Sequence, residues 1–230
     1  MKLYNFRFGP YPRRISIYFA EKGLRPSELI EFDPPSELSG WPPSSIQDLT
    51  PTGSLPILVD DDGTVVSQSL AILEYLEDTR PIPDMRGATP AERVSSRQLV
   101  NVLDTALTFF ALWARHGSAL SRTKPDDSRD LIEIGAQGYF DQLRLTERMI
   151  GDTEFLAGDA TTIADCVGMA LLQYTIEFYD VPIPPDCHRL SSWYDRFSGR
   201  PSAAGSEFPA EQHRIARGLL AQSNVSIHSP

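Results

Sequence analysis

Apolar and polar positions follow two different patterns along this chain. Up to about residue 78, short runs rich in β-branched and aromatic residues alternate with helical stretches. Helices are predicted from Pro10 to a C-cap at Gly23 and from Ser69 to about residue 78. This order predicts a small sheet of mixed strand direction with helices on its faces. The predicted strands are residues 2–6, 29–32, 55–59 and 64–66, the last two joined by the turn sequence Asp-Asp-Asp-Gly.

Beyond a proline-rich stretch at residues 79–84, the pattern is helical throughout. A long helix carries Phe109 and Trp113 on one apolar face, and a second follows near residues 132–143. A third is introduced by Thr162 and Asp165, which have the spacing of a capping box with Asp in place of the usual Glu. Shorter helices are expected near residues 190–197 and 210–220.

The change of pattern predicts two domains. The fold class is therefore an α/β domain followed by an all-α domain. The predicted boundaries are a sheet domain at 1–78, a linker at 79–89, a helical domain at 90–222 and a frayed tail at 223–230.

Composition excludes several classes of function. A net charge of -10 argues against binding to nucleic acid or to an anionic membrane surface. No apolar run approaches the roughly 18–20 residues needed to span a bilayer, and the first residues show no signal-peptide pattern. The two cysteines, Cys166 and Cys187, are far apart and indicate neither a disulfide framework nor a metal site. We therefore expect a soluble, cytoplasmic protein without a metal.

One pair of segments predicts a binding site. Residues 50–59 place Pro56 just before an apolar strand, and residues 68–73 place the polar pair Gln68-Ser69 at a helix start. The first arrangement exposes a backbone edge beside Leu55, and the second directs helix amides toward any group next to Ser69. Together they suit a peptide-like anion. The alternatives are an ordinary strand-entry proline and a plain N-cap serine.

These segments resemble those of the cytosolic glutathione transferase superfamily. The match covers residues 50–56, residues 68–76, and the segment 155–159 that leads into residues 162–165. The resemblance spans both predicted domains, from residue 2 to about residue 197. It implies a thioredoxin-like N-terminal domain, a helical C-terminal domain and glutathione as the co-substrate.

The resemblance also implies roles for individual residues. Pro56 is similar to the family's cis-proline, which turns the N–H and C=O of Leu55 toward the cysteinyl backbone of glutathione as an added strand would. Gln68 and Ser69 resemble the pair that holds the γ-glutamyl carboxylate. Trp41 corresponds to a tryptophan that several classes place over the glycyl end, and it is equally consistent with covering the sheet edge.

The sulfur-activating position departs from the family pattern. The usual Ser or Cys falls on Gly9, which has no hydroxyl. Lowering a thiol pKa from about 8.5 to about 6.5 requires roughly 2.7 kcal/mol. A helix N-terminus supplies about 0.3–1 kcal/mol, and a phenol hydrogen bond about 1.5–3 kcal/mol. The candidates are the backbone amide of Gly9 and the hydroxyl of Tyr11, with Arg13 as a cation near the cofactor; Tyr11 also fits a surface or pocket aromatic.

The resemblance places a second substrate between the domains, against the first long helix. The aromatic content there suggests a small apolar or aromatic electrophile, although such a stripe is more often core than pocket. The candidate contacts are Phe109, Phe110, Trp113 and His116.

Three functions remain open from the sequence. The first is a glutathione transferase that conjugates the thiolate to the electrophile. The second is a glutathione-dependent isomerase or thiol-disulfide reductase, and the third is a non-catalytic module with the same fold. Gly9 favours the third function, whereas the segments around Pro56 and Ser69 favour the first two.

The resemblance further predicts a homodimer, in which the sheet domain of one chain packs against the helical domain of the other. Analytical ultracentrifugation at micromolar concentration is expected to give the mass of two chains. A single-chain mass would contradict this prediction.

Overall fold

The computed structural model describes residues 1–6, 8–32, 44–120, 128–205, 208–223, 225 and 227. The chain divides into two compact units, Met1–Met85 and Arg86–Pro230. The boundary falls inside the segment 79–89 that the sequence assigns to a linker. The described residues include no helix long and apolar enough to cross a membrane.

The N-terminal unit is built on a four-stranded sheet in the order β2-β1-β3-β4. β1 runs parallel to β2, whereas β1 with β3 and β3 with β4 are antiparallel. The mixed sheet is as the sequence predicts, but β3 begins after Pro56, which has no N–H for the ladder. The strands are β1 Lys2–Asn5, β2 Glu28–Glu31, β3 Ile57–Val59 and β4 Val65–Ser67.

The described residues of this unit form three helices: α1 Pro10–Lys22, the short α2 Ser44–Gln47, and α3 Ser69–Thr79. Pro10 occupies the first position of α1, where the missing N–H costs nothing. Gly23 ends the helix at φ 69°, a left-handed conformation that glycine adopts without steric cost. Both ends of α1 therefore lie where the sequence predicts them.

A buried carboxylate joins the two main helices of the unit. Glu77 on α3 accepts hydrogen bonds from Tyr18 Oη at 2.5 Å and Lys22 Nζ at 2.7 Å, both on α1. Its second oxygen accepts from the backbone N–H of Met85 at 3.1 Å. Lys22 Nζ also donates to the Pro83 carbonyl at 2.5 Å. Every charge of this buried group is paired, which buried ions require.

A second ion pair anchors the end of the β3–β4 hairpin. Arg80 donates from both terminal nitrogens to Asp60, at 3.0 and 2.7 Å, and Tyr75 Oη donates to the same carboxylate at 2.7 Å. The Arg80 hydrogen bonds hold the pKa of Asp60 well below its usual range. The hairpin is thereby fixed to the C-terminal end of α3.

The C-terminal unit is helical in its described residues. Its long pair, α4 and α5, packs closely because two glycines of α5 face α4. A Cβ built on Gly135 would lie 2.6 Å from the Trp113 backbone nitrogen, and one on Gly138 would lie 2.4 Å from the Phe109 ring. The helices are α4 Pro90–Gly117, α5 Arg129–Met149, α6 Ile163–Leu172, a π-helical turn Gln173–Phe178, α7 His188–Ser198, a 3₁₀ turn Pro201–Ala203, α8 Ala210–Ala216 and α9 Leu219–Ser223.

Two aromatic residues assigned by the sequence to substrate binding lie in this core. Phe110 and Trp113 have relative exposures of 0%. The Phe110 ring lies 5.1 Å from that of Tyr139, and the Trp113 ring lies 5.6 Å from that of Phe140. Both side chains thus pack against α5 rings, as the core alternative left open by the sequence describes, and their role in substrate binding stays a prediction.

Asp165 organises the start of α6. Its carboxylate accepts from the backbone N–H groups of Leu156 and Thr162 at 2.9 and 2.8 Å, from Thr162 Oγ1 at 3.0 Å, and from Trp193 Nε1 at 2.9 Å. The carboxylate reaches back to the N-cap N–H as the sequence predicts, whereas the contacts to Leu156 and Trp193 are visible only in the fold. Burial raises the pKa of Asp165 to about 6.

We predict a pH-dependent cost for Asp165→Asn. The native state binds more protons than the unfolded state between about pH 4 and pH 6, so this group's contribution to unfolding free energy falls as pH rises through that window. At pH 7 the free energy of unfolding of the variant is expected to be about 2–4 kcal/mol lower than that of the wild type, since one amide oxygen replaces two carboxylate acceptors. The loss should be larger at pH 4, by up to about 3 kcal/mol.

Urea denaturation followed by tryptophan fluorescence measures this gap, which is the difference in free energy of unfolding between the wild type and the variant at each pH. Asp152→Asn, at an exposed position in the same unit, is the matched control and should show no such gap. A gap for Asp165→Asn that widens from pH 4 to pH 7 would contradict the prediction.

Candidate functional site

The sheet brings three segments to one end of the N-terminal unit. Ile57 at the start of β3 pairs with Tyr4 on one side and with Ser67 on the other. The residues before β3, the residues after β1 and the residues after β4 therefore meet at the same end. Neighbouring strands are about 4.8 Å apart, so Leu55 lies between the start of α1 and the start of α3.

The first segment presents backbone groups. The Leu55–Pro56 peptide bond is cis, as the family resemblance implies. Pro56 is buried and Leu55 is half-buried. Among the described residues, none hydrogen-bonds to the N–H or C=O of Leu55. One donor and one acceptor are thus available side by side for an extended ligand.

The second segment presents the N-terminus of α3. The backbone N–H groups of Ser69, Leu70 and Ala71 make no hydrogen bond to any described residue, and Ile72 is the first to bond back, to the Gln68 carbonyl at 3.0 Å. The Gln68 side chain makes no capping hydrogen bond. Three amides and the helix dipole therefore favour an anion at this position.

Gln68 has an unusual backbone conformation. Its φ of 72° and ψ of 119° are strained for a residue with a side chain, at a cost of order 1–3 kcal/mol. Its side chain is exposed, and Ser69 beside it is 5% exposed. Strain of this kind concentrates at ligand-binding positions, and here it is found at a residue that the sequence assigns to carboxylate binding.

The third segment is the start of α1. Gly9 is the N-cap residue, with φ -91°, and contributes no side chain. A Cβ at this position would lie 3.2 Å from Pro12 Cδ and 3.3 Å from Phe6 Cδ1, so a serine here would require its neighbours to shift. Because Pro10 and Pro12 lack N–H groups, Tyr11 carries the one amide in the first three helical positions.

Tyr11 and the following arginines differ from one another in exposure. Tyr11 is 42% exposed, and the Arg14 guanidinium carbon lies 5.0 Å from its ring centroid. Arg14 is 0% exposed, whereas Arg13 is half-buried. No pattern in the sequence distinguishes the buried Arg14 from Arg13, because two adjacent arginines at a helix start look alike.

The structure says less about the three remaining predicted site residues. Trp41 lies outside the described residues. Phe109 and His116, both half-buried, lie on α4, with Phe109 against Gly138 and His116 in the last helical turn. Their roles in substrate binding stay predictions.

Comparison with known proteins agrees with this geometry. Residues 8–79 match the family described as glutathione S-transferase, N-terminal domain. Glutathione S-transferase 2 of Saccharomyces cerevisiae is 26% identical over 221 residues, which cover 88% of this chain and 87% of that protein. The chain belongs to the cytosolic glutathione S-transferase superfamily. The fold predicted from the sequence is thereby confirmed.

Two further relatives show the range of the superfamily. A maleylacetoacetate isomerase of Pseudomonas aeruginosa is 29% identical, covering 72% of this chain and 76% of that protein. The crystal structure of a glutathione S-transferase from Methylobacterium radiotolerans in complex with glutathione sulfonate matches with a TM-score of 0.76 and 23% identity, covering 91% of this chain and 97% of that one.

The strain at Gln68 generates a prediction. Gln68→Gly and Gln68→Ala both remove the side chain, but only glycine adopts positive φ without a Cβ clash. The glycine variant is expected to be more stable than the alanine variant by about 1 kcal/mol in urea denaturation.

Gln137, exposed in the middle of α5, is the matched control. There the order should reverse, because glycine in a helix interior is about 1 kcal/mol worse than alanine. Equal stabilities of the two Gln68 variants would show that the backbone at this position stores no strain.

Proposed function

We propose that this protein is a glutathione transferase that conjugates the thiolate of glutathione to a small apolar or aromatic electrophile. The observation that carries the proposal is the pairing of open backbone groups at Leu55 with three open helix amides at Ser69, Leu70 and Ala71. A short peptide with a terminal carboxylate complements both groups at once. We further infer a cytoplasmic homodimer.

The strand order supports a specific orientation of glutathione. Its cysteinyl N–H and C=O pair with Leu55 as an added edge strand would. Its γ-glutamyl carboxylate lies at the N-terminus of α3, with Ser69 as hydroxyl donor and Gln68 as amide donor. The sulfur then points to the other side of β3, toward the start of α1, where Gly9 and Tyr11 lie.

The reaction requires the thiol proton to leave before the sulfur attacks. The proton passes to solvent, the thiolate forms a carbon–sulfur bond with the electrophile, and the leaving group departs with the electron pair. In this chain, the α1 dipole and the Tyr11 hydroxyl are the groups proposed to stabilise the thiolate. A dipole alone falls short of the required roughly 2.7 kcal/mol, so the hydroxyl is needed.

Glutathione-dependent isomerisation is the second candidate, and the Pseudomonas relative is the observation that favours it. An isomerase acting on a dicarboxylate requires cationic groups beside glutathione. Two adjacent arginines, Arg13 and Arg14, lie near the start of α1, and Arg14 is fully buried. Conjugation is therefore the better supported reaction.

Calorimetry with glutathione tests binding. We expect saturable binding at millimolar concentration or below, and a loss of about tenfold or more for Ser69→Ala, which removes one hydrogen bond to a charged group. Ser192→Ala, at an exposed position of α7, is the control and should bind normally. No binding at millimolar glutathione would contradict both the transferase and the isomerase.

Ultraviolet absorbance of the bound thiolate against pH tests activation in the same samples. The thiol pKa is expected to lie below 8.5 and to rise by about one unit in Tyr11→Phe. Turnover of chlorodinitrobenzene should fall in parallel. Binding without a lowered thiol pKa would favour a non-catalytic module, and an unchanged pKa in Tyr11→Phe would exclude Tyr11 as the activating group.

A further inference from the structure

A second concave surface lies in the N-terminal unit, away from the glutathione site. It is a groove of about 470 Å³ between α1 and the edge strand β2. Its strand side is formed by Leu3 and its cross-strand neighbour Leu29. It lies toward the end of the sheet where β2 begins, whereas the glutathione site lies where β1 ends. The volume is in the range of small-molecule sites.

The groove exists because one stripe of α1 is made of small residues. Ser16 and Ala20 of α1 and its C-cap residue Gly23 follow one another at spacings of four and three positions, so they lie on one side of the helix and leave the space above it open. Over these seven positions the helix rises about 10 Å, which sets the length of the groove.

Apolar side chains line most of its surface. Phe19 and Leu24 close the helix side, and Leu29 remains 52% exposed at the strand side. An aliphatic chain laid along the groove would remove these side chains from water, which is favourable in proportion to the area covered.

One end of the groove carries a single charge. Arg25 is the one charged residue in the lining, it is exposed, and no ion pair joins it to any described residue. The neighbouring Glu28 is paired with Lys2 at 2.6 Å. The C-terminus of α1 also lies near this end of the groove, and its carbonyl groups carry about half a negative charge. The full positive charge of the Arg25 guanidinium exceeds this partial negative charge. This end of the groove therefore favours an anion, and only while Arg25 is present.

We propose that the groove binds a linear aliphatic carboxylate, with its chain along the α1 stripe and its carboxylate on the Arg25 guanidinium. The planar guanidinium can donate two parallel hydrogen bonds to a carboxylate. The site is separate from the glutathione site, so it does not depend on the proposed transferase activity.

Calorimetry with decanoate, and with decylammonium as the cation of equal chain length, tests the proposal. The wild type is expected to bind decanoate and to bind decylammonium at least tenfold more weakly. Ala20→Leu places a larger side chain in the groove at an exposed position where leucine is a good helix former, and should weaken decanoate binding at least tenfold. Ala91→Leu, exposed on α4, is the matched control and should bind normally.

Charge variants identify the anion contact. Arg25→Gln should weaken decanoate binding about tenfold, and Arg25→Glu should reverse the preference so that decylammonium binds more tightly than decanoate. Saturating glutathione should change the affinity of the wild type for neither decanoate nor decylammonium. Three results would overturn the proposal: decanoate binding that Ala20→Leu leaves intact, equal binding of both probes by the wild type, or displacement of decanoate by glutathione.

Discussion

The buried Glu77 carboxylate is the interaction on which the N-terminal unit depends. It joins α1 through Tyr18 and Lys22, and it holds the chain at Met85 through a backbone N–H. Because both helices begin at the same end of the sheet, a contact near their far ends fixes where their N-termini lie. The geometry of the candidate site therefore depends on a buried ion pair that takes no part in binding.

The candidate site is made chiefly of backbone groups. Leu55 contributes an N–H and a C=O, and α3 contributes three amides, so side-chain identity matters less there than the conformations of Pro56 and Gln68. We propose that binding and activation are separable in this chain, which has glycine at the usual sulfur-activating position. In that proposal binding relies on backbone groups held by the fold, and activation relies on one side chain.

Much of the fold was predictable because its signals are local. Gly23 ends α1 because glycine tolerates positive φ, and Asp165 marks the start of α6 because a capping box lies within four residues. What the sequence leaves open is the role of side chains whose surroundings come from distant parts of the chain. Phe110 and Trp113 lie on the face of α4 that α5 covers, and no pattern within α4 distinguishes a covered aromatic face from a substrate-binding one.

The sequence by itself determined the two-part architecture, the order of the strands and helices, and the segments that form the candidate site, since periodicity, proline and glycine act over a few residues. The tertiary structure decided which polar groups are buried and which backbone groups stay open. Arg14 is enclosed while its neighbour Arg13 is half-buried, and Glu77 is paired across two helices. Burial and pairing are properties of elements brought together in space, so they follow only from the packed fold.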